Sequence, residues 1–459
     1  MCRGHTWLYR GADNVESADD LPPDLRPEEQ TDSDLDVEND LPTLKSIVGE
    51  EGIRKLKPKE KKRQEVLNEL VHTERAHVRN LKILDKLFFR PMAAETSTSD
   101  LAKQLLPNIH SMIRLHSSFN NSLKSVRKEN PVIGEVGNIF LKRFDGEEGE
   151  TFKNNCATFC RGQSFALDAL KKQQRKEQRL SQFLNDAESN PLCRRLQLKD
   201  LVPTQFQRLT KYPLLIENLL KYTQTNTDEY RKLTLAHQKT KEILAEVNQS
   251  VKEFENHQRL KILQKKMEKK IPQDSQEIKR KQVHEDMKNL DLPQHKLVYE
   301  GELTWRLRPN RLIDMHVILL EDILVLLQKQ DEKLILKCQS LNVHNQSDLT
   351  QTGRTDAGKG YTHSPILKLQ NLLSRNVATD KKAFFVINTS EAGPQIYELI
   401  ANNQTSRKTW HNHINSWAEV CKSKKSQKPA ASSTPVKSHA GVTTPQPEEI
   451  TEIRSKITR

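Results

Sequence analysis

Thr204, Arg208 and Lys211 recur at steps of four and three, so a helix carrying them would set two cations in one row. Guanidinium and ammonium groups so placed suit carboxylates or phosphates. The row is expected on the surface, turned away from the apolar row of Val202, Phe206, Leu209, Pro213, Ile216 and Leu220. Other chemistry-bearing clusters are incomplete. Asp32, Asp34 and Asp36 imitate the start of a calcium loop, but Val37 stands where the turn needs glycine and Thr43 where it needs the closing glutamate. A solvated acidic linker accounts for them. His72 and His77 lie five apart, the wrong spacing for two ligands on one helical face, and read as surface and core histidines. Cys156 and Cys160 read as packed thiols, since no nearby pair completes a metal site. Without a glycine-rich phosphate loop, an HExxH or a serine elbow, no metal, cofactor or covalent catalysis is expected.

The elements that must position the cationic row are long helices. Val66, Leu70, Thr73, His77, Leu81, Leu84 and Phe88 mark one face of a helix over 59–90, ending before Pro91. Similar patterns cover 101–127, 133–144, 151–175, 198–223 and 227–270, the ingredients of an elongated all-helical bundle. After His295 the period changes to two. KLVYEGELTWRL, MHVILL, DILVLLQ, KLILKCQ, SPILKLQ, VATDKKAFFVINT and QIYELIA read as seven strands, closed by a helix over 404–420 with Trp410, Ile414 and Trp417 on one face. A small antiparallel barrel or sandwich follows, with a long loop at 344–363. The expected division is a disordered acidic arm (1–45), a leading segment (46–58), the helical domain (59–271), a linker (272–294), the β domain (295–421) and a basic disordered tail (422–459).

Composition narrows the partners. Lys and Arg number 74 against 61 Asp and Glu, a balance of +13 that favours an acidic protein, nucleic acid or an anionic membrane. Nucleic acid is disfavoured, because aromatics make up 5% and no recognition motif gathers the cations. Six cysteines without paired spacing fit a reducing compartment, and no apolar run approaches the length of a membrane span. The expected address is the cytoplasm, with recruitment to the plasma membrane.

Three stretches carry a family resemblance. RQEVLNELVHTERAHVRNLKIL (63–84), FCRGQSFALDAL (159–170) and CRRLQLKDLVPTQFQRLTKYPLLIENLLKYT (193–223) resemble the three conserved regions of the Dbl-homology (DH) domain of Rho guanine nucleotide exchange factors. The β-rich stretch resembles the pleckstrin-homology (PH) domain that accompanies it, and the wording is nearest the RGS-containing RhoA exchange factors. Nothing before residue 45 has room for that subgroup's PDZ or RGS-like domains. The sequence therefore reads as a short isoform or a fragment, and coupling to heterotrimeric G-protein α subunits is not carried over. The resemblance implies an exchange factor for a Rho-family GTPase, RhoA first, which speeds GDP release without covalent chemistry. A non-catalytic DH-PH scaffold tethering membrane or cytoskeletal partners is the alternative.

Residue by residue, the resemblance assigns Glu74 to switch I, and Lys211, its neighbour Arg208, and Asn248 to switch II. It assigns Arg195, Lys252 and Arg259 to acidic residues beside the switches. The bland alternatives are an exposed carboxylate paired with Arg75 or Lys82 for Glu74, and solvated cations for the last three. In the PH region Phe385 and Ile387 resemble a patch that docks activated RhoA; sheet core is the alternative, because alternation does not say which face is wet. Lys296, Arg306, Arg308 and Arg311 sit around the first hairpin, where phosphoinositide-binding relatives place cations. The strand DMHVILLED lacks their Arg-x-Arg, so only weak attraction to anionic lipid is expected, about 1 kcal/mol per nearby cation.

Overall fold

The computed structural model describes residues 35, 40–271, 278–341, 361–390 and 393–426. The acidic triplet, most of the expected acidic arm, most of the 344–363 loop and most of the basic tail lie outside the described residues. The chain divides into two compact units, Met1–Leu260 and Lys261–Arg459.

In the first unit, α1 (Leu44–Lys55) precedes α2 (Pro58–Ile83), which Pro58 opens, where a missing amide costs nothing and a fixed φ suits the first turn. Leu67, Leu70, Val71, Val78 and Leu81 bury one face. The helix does not end before Pro91 as its sequence suggests. A π-helical turn, Leu84–Phe89, carries it into α3 (Arg90–Ala94), with the Arg90 amide reaching back five residues to the Asp85 carbonyl. A widened turn accommodates a proline that has no amide to donate.

Proline and glycine divide other expected helices. Pro107 separates α4 (Ser99–Leu105) from α5 (Ile109–Glu129), and α6 (Gly137–Phe144) begins after Val136. Arg161 and Gly162 separate α7 (Gly146–Cys160) from α8 (Gln163–Lys176), after which α9 (Gln178–Glu188) is additional. Val202 and Pro203 split 198–223 into α10 (Leu198–Leu201) and α11 (Thr204–Tyr222). Pro213 lies inside α11 without ending it. Val202, Leu209, Pro213 and Ile216 are buried, while Phe206 and Leu220 are half-buried. Rings of Phe119, Phe140, Phe144, Phe152 and Tyr212 pack with centroids 5.1 to 6.3 Å apart. Glu229 of α12 (Asp228–Lys266) accepts the Val136 and Gly137 amides at 2.9 Å each, capping α6, and stands 3.5 Å from Arg63 of α2.

In the second unit α12 stops short of its expected end, and Met267–Lys270 becomes β1, paired in parallel with β5 (Lys333–Lys337). Pairing with a sheet here overrides the helical propensity of MEKK. The other strands are β2 (Leu297–Arg308), β3 (Arg311–Leu320), β4 (Ile323–Gln330), β6 (Gln339–Leu341), β7 (Tyr361–His363), β8 (Ile366–Lys368), β9 (Leu372–Asn376), β10 (Ala383–Ser390) and β11 (Gly393–Ile400). The sheet order is β1-β5-β4-β3-β2-β11-β10-β9, with β8 beside β4, and β6 pairing β7 separately. No ladder joins β1 to β9 among the described residues, so the sheet is open, with more strands than the seven expected. The C-terminal helix, α13 being Ile278–Asn289, is α14 (Gln404–Ser426); its Trp410 and Ile414 enter a core with Phe384, Val386, Tyr397 and Leu399.

Candidate functional site

The residue expected to meet switch I is not on the surface. Glu74 has no exposed area. Arg208 brings Nε and Nη2 to within 2.8 and 2.7 Å of its Oε2, and the Tyr212 hydroxyl donates to the same oxygen at 2.7 Å. His116 Nδ1 reaches Oε1 at 2.8 Å. Gln205 Nε2 lies 3.0 Å from His116 Nε2, and the Gln205 carbonyl oxygen faces His77 Nε2. The Gln205 amide thus bridges the two imidazoles, its oxygen toward His77 and its nitrogen toward His116, and His116 in turn faces Glu74. Burial alone would raise the Glu74 pKa, but Arg208 and His116 outweigh it and hold the carboxyl well below the usual range. Burial, then His116, pushes His77 down to about 3.

Arg208 is likewise buried, which corrects the expectation that it is presented beside Lys211. Its Nη1 donates to Thr73 Oγ1 at 2.7 Å, and its guanidinium lies 4.6 Å from the Tyr212 ring centroid. The two charges that looked like partner contacts neutralise each other between α2 and α11. Sequence spacing contained the signal: Glu74 falls in step with Leu67, Leu70, His77 and Leu81, the row that becomes core.

Helix registers locate what remains outside. Lys59 Nζ reaches the Thr223 carbonyl at 3.4 Å while Arg208 meets Glu74, so α2 and α11 run antiparallel. Lys211, exposed, then lies level with Val71, and Glu69 is the exposed carboxylate of α2 beside that level. Sequence reasoning missed Glu69. Three residues after Lys211, Leu214 is 51% exposed, an apolar side chain among polar ones. His237 on α12 lies near Glu217 on α11, while Phe254 packs on Phe165 and Gln163 donates to the Val202 carbonyl. Asn248 and Lys252 lie on α12 between His237 and Phe254. Asn248 and Lys252 are exposed. Arg195 is exposed on a turn where Arg194 and Arg195 both hold left-handed φ, 49° and 66°, each costing about 1 kcal/mol or more for a residue with a Cβ. Arg259 is half-buried.

In the PH region, strand register decides which face is wet. Phe384 and Val386 are fully buried, so Phe385 and Ile387 point to the opposite face, where both are partly exposed. Leu373, Ile387 and Ile396 form one row across β9, β10 and β11. Arg375, Phe385, Glu398, Arg306 and Leu312 form the next, extending to β2 and β3. Leu373, Ile396 and Leu312 are 37%, 57% and 59% exposed, which makes this an open apolar patch with a charged border.

The four hairpin cations do not converge. Arg308 pairs with Arg311 at the tip, whereas Lys296 precedes the other end of β2, roughly 35–40 Å away along the strand. Arg306 is taken by Glu398 and lies 3.6 Å from Asp380. A four-cation lipid site is therefore absent.

Comparison with known proteins agrees with this architecture. A RhoGEF domain family matches residues 66–248 and a PH domain family matches residues 281–419. Rho guanine nucleotide exchange factor 12 of Homo sapiens is 44% identical over 383 residues, covering 83% of this chain and 24% of that protein. Rho guanine nucleotide exchange factor 1 of Mus musculus is 42% identical over 385 residues, covering 83% of this chain and 40% of that protein. The chain thus spans between about a quarter and two fifths of the length of these relatives. Among solved structures, the PDZ-RhoGEF DH/PH domains in complex with GTP-γ-S-activated RhoA are 41% identical, with a TM-score of 0.72, covering 83% of this chain and 100% of that one. The DH/PH domains of p115-RhoGEF match at 39% identity and a TM-score of 0.72, over 83% of this chain and 100% of that one.

A helical bundle followed by a PH-type sheet, with a charged helical face built from α2, α11 and α12, defines a DH-PH tandem. The chain belongs to the family of Rho guanine nucleotide exchange factors whose RhoGEF domain is followed by a PH domain.

Proposed function

We propose that the helical unit accelerates GDP release from a Rho-family GTPase, RhoA in the first place. The observation that carries this reading is the match, at 41% identity over the whole DH/PH chain, to a protein whose crystal structures are complexes with RhoA. Such a domain makes and breaks no covalent bond. It binds the nucleotide-free GTPase more tightly than the loaded one, and by linkage that difference weakens nucleotide binding by the same factor.

Lys211, Asn248 and Lys252 are the exposed polar groups assigned to switch II and its flank, with Leu214 adding apolar contact. Glu69 replaces Glu74 as the carboxylate for switch I, because a side chain without surface has nothing to offer a partner. The Glu74–Arg208 network serves instead as the strut that fixes α2 against α11 and so sets the spacing of Glu69 and Lys211. The test is release of a fluorescent nucleotide from purified RhoA; absence of any acceleration favours the scaffold alternative.

A second reading concerns the sheet. The row of Leu373, Ile387 and Ile396 beside Phe385 supports docking of activated RhoA on the PH unit, in addition to exchange. Membrane attraction rests on scattered cations and is correspondingly weak. Among the described residues no helix is long and apolar enough to cross a membrane. Cytoplasmic location with recruitment to the plasma membrane is part of this proposal.

A further inference from the structure

Arg143 of α6 is 4% exposed, and its Nε is sealed from solvent with no hydrogen-bond partner. No ion pair to it occurs among the described residues; its guanidinium carbon stands 5.8 Å from the centroid of the Phe119 ring. A ring face offsets only part of the cost of desolvating a guanidinium, so the position calls for a counter-charge.

Space for one is present. Arg143 and Ser118 line two adjoining cavities of about 430 and 170 Å³. Around the larger stand Ser111, Arg114, Thr151 and Asn155. Arg114 Nη2 donates to Ser111 Oγ at 3.0 Å, which leaves the serine hydrogen for another acceptor. Asn155 is fixed in turn, accepting from Asn108 Nδ2 at 3.0 Å and donating to the Thr151 carbonyl at 2.8 Å. Two carboxylates share the larger cavity, Glu147 and Glu148; Glu148 lies 3.9 Å from Lys142, which lines the smaller one.

We propose that this cavity binds a single compact oxyanion of the phosphoryl type, held by the fork of Arg143 and the surrounding hydroxyls. A planar guanidinium matches two oxygens of such a group at once, which an ammonium does not. Glu147 and Glu148 set the size of the ligand. They repel a polyanion such as a nucleic-acid backbone more than a single phosphoryl group, whose charge the buried Arg143 meets. The group is the same chemistry whether free phosphate or a phosphorylated side chain brings it.

Thermal unfolding of the whole chain, followed by helical ellipticity at an ionic strength held constant with chloride, tests the site. Inorganic phosphate well above its dissociation constant should raise the helical transition by about 2–4 °C. Phosphoserine in place of phosphate distinguishes the side-chain source, and a shift with either probe counts as binding. Arg143→Met should abolish the shift. Where that variant fails to fold, Ser118→Asp supplies the test: a carboxylate built into the shared wall should raise the transition without phosphate and remove the further gain. No shift with either probe in the unmodified chain, an equal shift in a folded variant, or a Ser118→Asp chain less stable than its parent overturns the proposal. None of these changes touches Glu69, Lys211 or Asn248, so the result is read apart from nucleotide exchange.

Discussion

Arg208 of α11 and Glu74 of α2 form an ion pair at 2.7 Å in a place where Glu74 has no exposed surface and Arg208 keeps only 6%. The pair ties together the two helices that present Lys211 and Glu69, and three further donors (Tyr212, His116 and, through Gln205, His77) converge on it. The paired charges are thus buried, while Lys211 and Glu69 stay exposed.

Removing one partner of such a pair strands the other. Glu74→Ala should destabilise the helical unit by about 3–5 kcal/mol, since Arg208 would remain buried without its counter-charge. Urea unfolding measures this directly. An unchanged midpoint combined with lost exchange would return Glu74 to the role of a surface contact.

Exposed members of the site should behave in the opposite way. Lys211→Ala and Glu69→Ala are each expected to shift stability by less than about 0.5 kcal/mol, as for surface substitutions generally, while lowering exchange at least tenfold. Thermal melts and nucleotide release on the same preparations separate the two effects. If Glu69→Ala exchanges at the parent rate, the switch I assignment to that residue fails.

The histidine chain makes stability depend on pH. His77 is neutral in the fold, with its pKa lowered from 6.5 to about 3, first by burial and then by His116. Below pH 6.5 the unfolded chain binds a proton that the folded chain refuses, so stability falls as the pH drops from 6.5 toward about 3. Glu74, whose pKa is also depressed, contributes stability present above the ordinary carboxylate range and lost at still lower pH. His77→Gln should flatten the upper part of that decline. A set of denaturant midpoints between pH 7 and 4 checks it, and an identical slope in the variant contradicts it.

On the sheet, Phe385 stands on the open face while Phe384 fills the core. Phe385→Ala should leave folding intact and weaken binding to GTP-loaded RhoA by about tenfold, within the range expected for an aromatic at the centre of an apolar patch. Phe384→Ala should instead cost about 3–5 kcal/mol of stability. Calorimetric titration and melting of the two variants distinguish the faces, and equal destabilisation by both would mean that Phe385 is core.

Much of this architecture is legible in the chain. Steps of three and four give the helical bundle, alternation after His295 gives the sheet, and the 193–223 stretch identifies the family. What escapes is set by partners remote in sequence. Glu74 and Arg208, 134 residues apart, look like two surface charges until the fold joins them. Pattern cannot foresee β1, because MEKK becomes a strand only beside β5. The wet face of β10 needed its neighbours' register, which placed Ile387 between Leu373 and Ile396.

The central claim is that this surface empties a Rho GTPase of its nucleotide, and release of fluorescent GDP from RhoA, Rac and Cdc42 tests it most directly. The predicted result is strong acceleration on RhoA, weaker or none on Rac and Cdc42, and loss of the acceleration in Lys211→Ala. No acceleration on any of the three, from a chain that melts cooperatively, would contradict the account.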